Sequence, residues 1–194
     1  MNIKPIFNPD TNVDQSNYYW FQEGFLQPEV DQIEELAAGY PEEKATIVGE
    51  DSDEVRKSNI KWLHPGPDTE WIYDRLMNCI TEANDQIWKF DLKSILDSIQ
   101  YTVYNGGGGH YHWHMDIGPG DISHRKISAI VQLSNEEDYT GGDFEISTGR
   151  GIYLVPKAKG TVALFPSFML HRVTPVITGT RKSLVLWAGG GHYK

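Results

Sequence analysis

His114 and Asp116, one residue apart, are the side chains of this 194-residue chain best suited to holding a metal ion. An extended strand points residues i and i+2 to one face, so both can reach a single ion while Met115 faces away. Another imidazole stands far downstream at His171. Two imidazoles and one carboxylate on one side of an ion leave other coordination positions open. That arrangement suits Fe(II) chemistry with oxygen and not a closed structural zinc site.

The run His110-Tyr111-His112-Trp113-His114 alternates, so three imidazoles share a face with Asp116 and His112 competes with His114 as a ligand. A His112-X-His114 pair with His171 would be a cupin-like set. Cupins typically supply a Glu soon after the His pair, and here Asp116, Ile117, Gly118 and Pro119 occupy those places. Iron is therefore assigned to His114, Asp116 and His171, and His112 to the wall of a substrate pocket.

Arg181 follows His171 by ten positions, with Ser183 two further on. A 2-oxoglutarate molecule chelates iron through its 1-carboxylate and 2-keto oxygen. Its distal carboxylate is then left for a fixed guanidinium in bidentate geometry. Arg181 is read as that anchor, and Ser183, on the same strand face, adds a hydroxyl.

Taken together, these residues resemble the Fe(II)- and 2-oxoglutarate-dependent dioxygenases, and within them the prolyl hydroxylase branch. The run Tyr104-Asn105-Gly106-Gly107-Gly108-Gly109 leads to Tyr111 and the His-X-Asp pair. Val131-Gln132-Leu133-Ser134 and Gly141-Gly142-Asp143-Phe144 are similar to the branch's Leu-Asn and Gly-Gly-X-Phe segments. Gln132 departs from the aromatic residue some of these enzymes carry there. Gly160 to Pro166 then leads into His171, and Arg181 into Ser183-Leu184-Val185-Leu186-Trp187.

The resemblance covers roughly residues 95 to 190 and implies a mainly β fold with supporting helices around a double-stranded β-helix, or jelly roll, core. It implies Fe(II), 2-oxoglutarate and O2 as cofactor and cosubstrates, with ascorbate as reductant. It also implies hydroxylation of a prolyl residue in a peptide or protein, with release of succinate and CO2. Tyr104 would face the cosubstrate, and Tyr111 and Trp187 would line the substrate pocket. Hydroxylation of a free amino acid or other small molecule is an alternative within the same chemistry; a cupin-like metal protein without 2-oxoglutarate is an alternative outside it.

Around this site, the chain reads as one domain over residues 1–194, with a helix-rich support region at 1–94 and a catalytic core at 95–190. Pro28, Val30, Ile33, Leu36 and Ala37, stopped by Gly39, predict a short amphipathic helix. A longer one, capped at Asp68 or Thr69, carries Ile72, Leu76, Ile80, Ala83 and Ile87 at helical spacing. Tyr18 to Phe21 is a strand or an aromatic anchor, and the opening to Ser16 is irregular. The charged stretch 42–59 reads as a solvated loop, with a mobile lid as the alternative.

Strands are expected over Ser98–Tyr104, Tyr111–Asp116, Lys126–Leu133, Asp143–Ile146, Thr161–Phe165, Arg172–Ile177 and Ser183–Ala188. Lys and Arg total 17 against 27 Asp and Glu, a net charge of −10, which disfavours a nucleic-acid partner. Cys79 is the sole cysteine, no apolar run is long enough for a bilayer, and Met1 to Pro5 lacks the apolar core of a signal peptide. A cytoplasmic location is the expectation.

Overall fold

The computed structural model describes residues 17–46, 53–95 and 97–191. In chain order its elements are β1 (Tyr19–Phe21), α1 (Gln27–Ala38), β2 (Glu43–Lys44), β3 (Arg56–Lys57), β4 (Asn59–Leu63) and α2 (Glu70–Ala83). Next come β5 (Leu92–Ile95), β6 (Ile99–Asn105), β7 (Gly109–His114) and β8 (Arg125–Gln132). The chain finishes with β9 (Tyr139–Gly141), β10 (Phe144–Ser147), β11 (Ile152–Leu154), β12 (Val162–Pro166) and β13 (Leu170–Gly190). The irregular opening to Ser16 lies outside the described residues.

The strands form a jelly roll of two sheets that share β13. The larger sheet runs β1-β12-β8-β13-β6-β4-β2. The smaller one joins the first half of β13 to β10 and β7, with β11 beyond β10, β3 beyond β7, and β9 at the far end. All of these pairings are antiparallel, as an alternation of short strands and tight turns favours.

Helices α1 and α2 cover the outer face of the larger sheet. Pro28 starts α1, where its missing N–H costs nothing, and the Leu26 N–H donates to Glu29 Oε2 at 2.7 Å. Val30, Ile33 and Ala37 of α1 and Ile72, Leu76, Ile80 and Ala83 of α2 are buried against Ile99, Tyr101, Ile127, Ala129, Val162, Leu164, Leu184 and Leu186. Each large aliphatic side chain in that layer contributes roughly 1.5–3 kcal/mol of transfer free energy. The expected helix through Ile87 holds to Ala83 and then widens into a π turn, Asn84–Trp88. The reason is Asn84, whose side chain ties the chain back by bonding both Phe90 N and Phe90 O.

The inner face of the same sheet is different. Alternation turns Gln100, Thr102, Ser128, Gln132, Arg181 and Ser183 inward, and all are buried. Buried polar groups cost free energy unless hydrogen-bonded, so this face is built for ligands and not for packing. A second apolar cluster, Tyr104, Ile130, Phe144, Ile146, Phe165, Val173 and Val176, surrounds it between the sheets.

Two expectations change. The separate strands predicted over 172–177 and 183–188 are one continuous strand, β13, which leaves the smaller sheet and enters the larger without reversing. Gly179 makes this bend at φ 76, and a Cβ there would collide with the Asp138 carbonyl oxygen, so only glycine fits. The stretch 42–59 is not wholly loop: its described part supplies β2, β3 and the start of β4, with Arg56 opposite Tyr111 on β7. Among the described residues no helix is long and apolar enough to cross a membrane.

Candidate metal centre and its pocket

Antiparallel pairing of β7 with β13 sets His114 directly opposite His171. Strand β7 ends at His114, and Asp116 reaches the same point from the following turn, while Met115 is exposed. One ligand atom from each of His114, Asp116 and His171 lies within 4.8 Å of the others. The His114 Nε2 stands 3.7 Å from Asp116 Oδ1, and His171 Nε2 3.5 Å from Asp116 Oδ2. Each ring nitrogen Nδ1 faces a backbone carbonyl, that of His112 at 2.7 Å and that of Met169 at 2.8 Å. A carbonyl can only accept, so Nδ1 carries the hydrogen and Nε2 offers its lone pair to the shared centre.

Asp116 is held from behind. Ser128 Oγ donates to its Oδ2 at 2.7 Å and is itself 3.0 Å from Ser167 Oγ. The Asp116 N–H donates to Ser167 O, and Arg125 Nη1 to Asp116 O. Burial opposes ionisation of Asp116, but His171, His114 and the Ser128 hydroxyl outweigh it and hold the carboxyl below its usual range. The Trp187 indole N–H, without a geometric hydrogen-bond partner among the described residues, pulls the same way. Burial and the neighbouring His171 push His114 down to about 3, against the pull of Asp116. A neutral imidazole and an ionised carboxylate are the forms that bind metal.

Arg181 lies 1% exposed on the inner face, paired in register with Tyr104. Its Nη2 donates to Gln132 Oε1 at 2.8 Å, its Nη1 reaches Ser183 Oγ at 3.4 Å, and its Nε has no partner among the described residues. The Tyr104 ring lies 5.4 Å from the guanidinium carbon. A guanidinium carries five N–H donors, and these contacts use two of them. A buried cation left so incompletely bonded is costly without an anionic acceptor. A carboxylate fits that place, and the donor set of His114, Asp116 and His171 fits a divalent iron with open positions.

Both groups open on one cavity of about 370 Å³, which is also lined by Tyr104, Tyr111, Ser183 and Trp187. Tyr111 stacks on the His114 ring with centroids 3.4 Å apart. Burial pushes its hydroxyl up to about 12, against the influence of Arg56, so it stays a protonated donor. His112 does not join them: it is exposed, its ring touches that of His110, and it lies outside the cavity lining. The cupin-like register through His112 therefore has no support in the geometry.

Sequence reasoning missed Arg56, Gln100 and Arg125, all on the cavity wall. Arg56 donates from Nε to Ser58 Oγ and from Nη2 to Gln100 Oε1, and its guanidinium carbon stands 4.6 Å from the Tyr111 ring centroid. Arg125 lies 3.8 Å over Trp187 and pairs with Asp97 at 2.6 Å. No local motif marks Arg56; only the pairing of β3 with β7 brings it here. Arg125 sits at the head of β8, where a register shift between Ala188 and Gly189 of β13 breaks the alternation, so no periodicity in the sequence placed it on the cavity wall.

Residues 99–189 match the sequence model of the 2OG-Fe(II) oxygenase superfamily. A PKHD-type hydroxylase of Teredinibacter turnerae is 34% identical over 139 residues, covering 68% of this chain and 59% of that protein. Another PKHD-type hydroxylase, of Acidovorax ebreus, is 39% identical over 86 residues, covering 41% of this chain and 38% of the relative. The chain thus spans less than two thirds of the length of these relatives. Among solved structures, a Trichoplax adhaerens prolyl hydroxylase in complex with a hypoxia inducible factor peptide fragment superposes with a TM-score of 0.76 at 15% identity, covering 91% of this chain and 85% of that one. A Pseudomonas putida prolyl-4-hydroxylase gives 0.72 at 19% identity, with 92% and 95% covered. At these identities the likeness is one of fold.

Proposed function

We propose that this chain, a prolyl hydroxylase-like member of the 2OG-Fe(II) oxygenase superfamily through residues 99–189, hydroxylates a prolyl residue of a peptide or protein and releases succinate and CO2. The carrying observation is a single cavity with His114, Asp116 and His171 on one wall and a guanidinium short of acceptors, Arg181, on another. The PKHD-type relatives are named hydroxylases, and the Trichoplax enzyme was solved with a peptide. The first supports hydroxylation, and the second supports a polypeptide substrate.

In this reading His114, Asp116 and His171 hold Fe(II), and Arg181, Ser183 and Tyr104 hold 2-oxoglutarate. Together with O2 and with ascorbate as reductant, that pair supplies the oxidising chemistry that places one oxygen atom in a C–H bond. The protein's own part is geometric and electrostatic. Ser128 keeps Asp116 ionised and aimed. The Arg181 guanidinium fixes the far end of a dicarboxylate, so its reactive end arrives at the metal already oriented. Tyr111 and Trp187 wall the remaining space and keep bulk water from it. Residues 95–190 would form the catalytic core, 1–94 its support, and the single cysteine favours the cytoplasm.

One observation favours a second substrate class. Arg56 lines the cavity, and its Nη1 makes no hydrogen bond among the described residues. An anionic group on the substrate, as in a free amino acid, would complete it. The deciding experiment incubates the protein with Fe(II), 2-oxoglutarate, ascorbate and a panel of capped proline peptides and free amino acids. Mass spectrometry then seeks one added oxygen. Oxygen on a capped prolyl peptide supports the leading reading; oxygen only on uncapped acids supports the second.

A further inference from the structure

Gln132 stands where some of the resembled enzymes carry an aromatic residue, and its surroundings give the difference a purpose. It closes β8 directly opposite Ser183 on β13, 2% exposed. Its N–H donates to Thr161 O at 3.0 Å and its carbonyl accepts from Gly160 N at 2.8 Å, so its backbone is clamped from both sides. Its side-chain Nε2 points to Pro156 O at 3.4 Å and its Oε1 accepts from Arg181 Nη2 at 2.8 Å. The two ends of the amide meet a pure acceptor and a pure donor, so its orientation is determined.

We propose that Gln132 is a positioning residue for the dicarboxylate cosubstrate: its carboxamide oxygen fixes the rotation of the Arg181 guanidinium about its own axis. The inference rests on the assignment of Arg181 to 2-oxoglutarate. A guanidinium binds a carboxylate strongly only when two parallel N–H groups face it in one plane. On a long side chain that plane is free to rotate, and the Tyr104 ring, 5.4 Å away, supplies no directional acceptor. Gln132 holds Nη2 from one side and Ser183 lies beside Nη1. The unpartnered Nε and the remaining Nη hydrogens are thereby presented to the incoming carboxylate. An aromatic residue in that place would fill the volume and accept no such bond. Because the amide is neutral, it orients the cation without cancelling its charge.

The test separates this role from simple space-filling. Calorimetry on the Fe(II)-loaded protein under argon gives Kd for 2-oxoglutarate and for 2-oxopentanoate, which has the same chelating end and no distal carboxylate. Gln132→Met keeps the volume and removes the acceptor. The expected result is about a tenfold rise in Kd for 2-oxoglutarate, the scale of one hydrogen bond to a charged group, with 2-oxopentanoate changed less than about twofold. Gln132→Glu neutralises Arg181 and weakens 2-oxoglutarate by more than about a hundredfold, again sparing 2-oxopentanoate. Unchanged 2-oxoglutarate binding in Gln132→Met, or equal weakening of both acids, overturns the proposal while Arg181→Ala still abolishes the preference for 2-oxoglutarate. If Arg181→Ala also leaves that preference intact, the cosubstrate assignment fails and takes the proposal with it.

Discussion

Removing one hydroxyl, that of Ser128, tests whether Asp116 is a metal ligand prepared by the fold. The group is fully buried, donates to Asp116 Oδ2 at 2.7 Å, and touches Ser167 Oγ at 3.0 Å. A hydrogen bond to a charged acceptor is worth roughly 1.5–3 kcal/mol, and outer partners of metal ligands change metal affinity by about 10–100-fold. Ser128→Ala leaves one carboxylate lone pair unmet in a site that water reaches poorly, and it frees the carboxylate to rotate. The expected effect is an Fe(II) affinity about 10–100-fold weaker, measured anaerobically by competition with a chromophoric chelator. Ser167→Ala is the matched control. Its side chain meets Ser128 and not Asp116, and its backbone carbonyl, which accepts the Asp116 N–H, is retained. That variant should lose no more than about threefold, since one neutral contact at a distance is worth about 0.6 kcal/mol or less. Affinity within twofold of the parent for Ser128→Ala, or equal losses in the two variants, would refute the reasoning.

Other consequences are equally direct. His114→Ala, Asp116→Ala and His171→Ala each abolish iron-dependent succinate production, whereas exposed His112→Ala leaves iron binding within about threefold, as an imidazole outside the metal's reach contributes little. Adding 2-oxoglutarate to the Fe(II) protein without oxygen should give a weak metal-to-ligand charge-transfer band; Arg181→Ala loses it at cosubstrate concentrations that saturate the parent. Gly179→Ala forces a left-handed backbone costing at least about 1 kcal/mol, and the collision with Asp138 O adds to it, so Tm falls by more than about 3 °C. An unchanged melting curve would show that the bend in β13 tolerates a side chain. Leu76→Ala, at a fully buried position between α2 and the larger sheet, should cost about 2–5 kcal/mol in denaturant unfolding without altering the iron affinity of the folded fraction.

The cluster of His114, Asp116 and His171 was readable because its residues are chemically scarce and locally spaced. His114 and Asp116 announce each other, and Arg181 lies within the same strand as His171. The helices were readable for a different reason: each buries a single stripe, so Val30, Ile33 and Ala37 repeat at helical period. What escaped was whatever depends on a partner remote in sequence. Arg56 enters the pocket because β3 pairs with β7, and nothing in the charged residues around it foretells that pairing. Ser128 is an ordinary strand serine until the fold puts it behind Asp116. The continuous β13 was misread as two strands because Thr178-Gly179-Thr180 carries the same local signal for a bend as for a reversal. Only the presence of two sheets to receive the strand decides between them.

That bend has a metrical consequence. His171 and Arg181 belong to one unbroken strand, so the span from imidazole to guanidinium is a covalent length of backbone, fixed at both ends by ladder hydrogen bonds in different sheets. The strand acts as a caliper whose jaws are an imidazole and a cation. On the proposed assignment, chain length in a dicarboxylate would be gauged by the register between the two sheets, and a residue inserted or deleted between Thr174 and Thr180 would reset the gauge while leaving every lining side chain in place in the sequence.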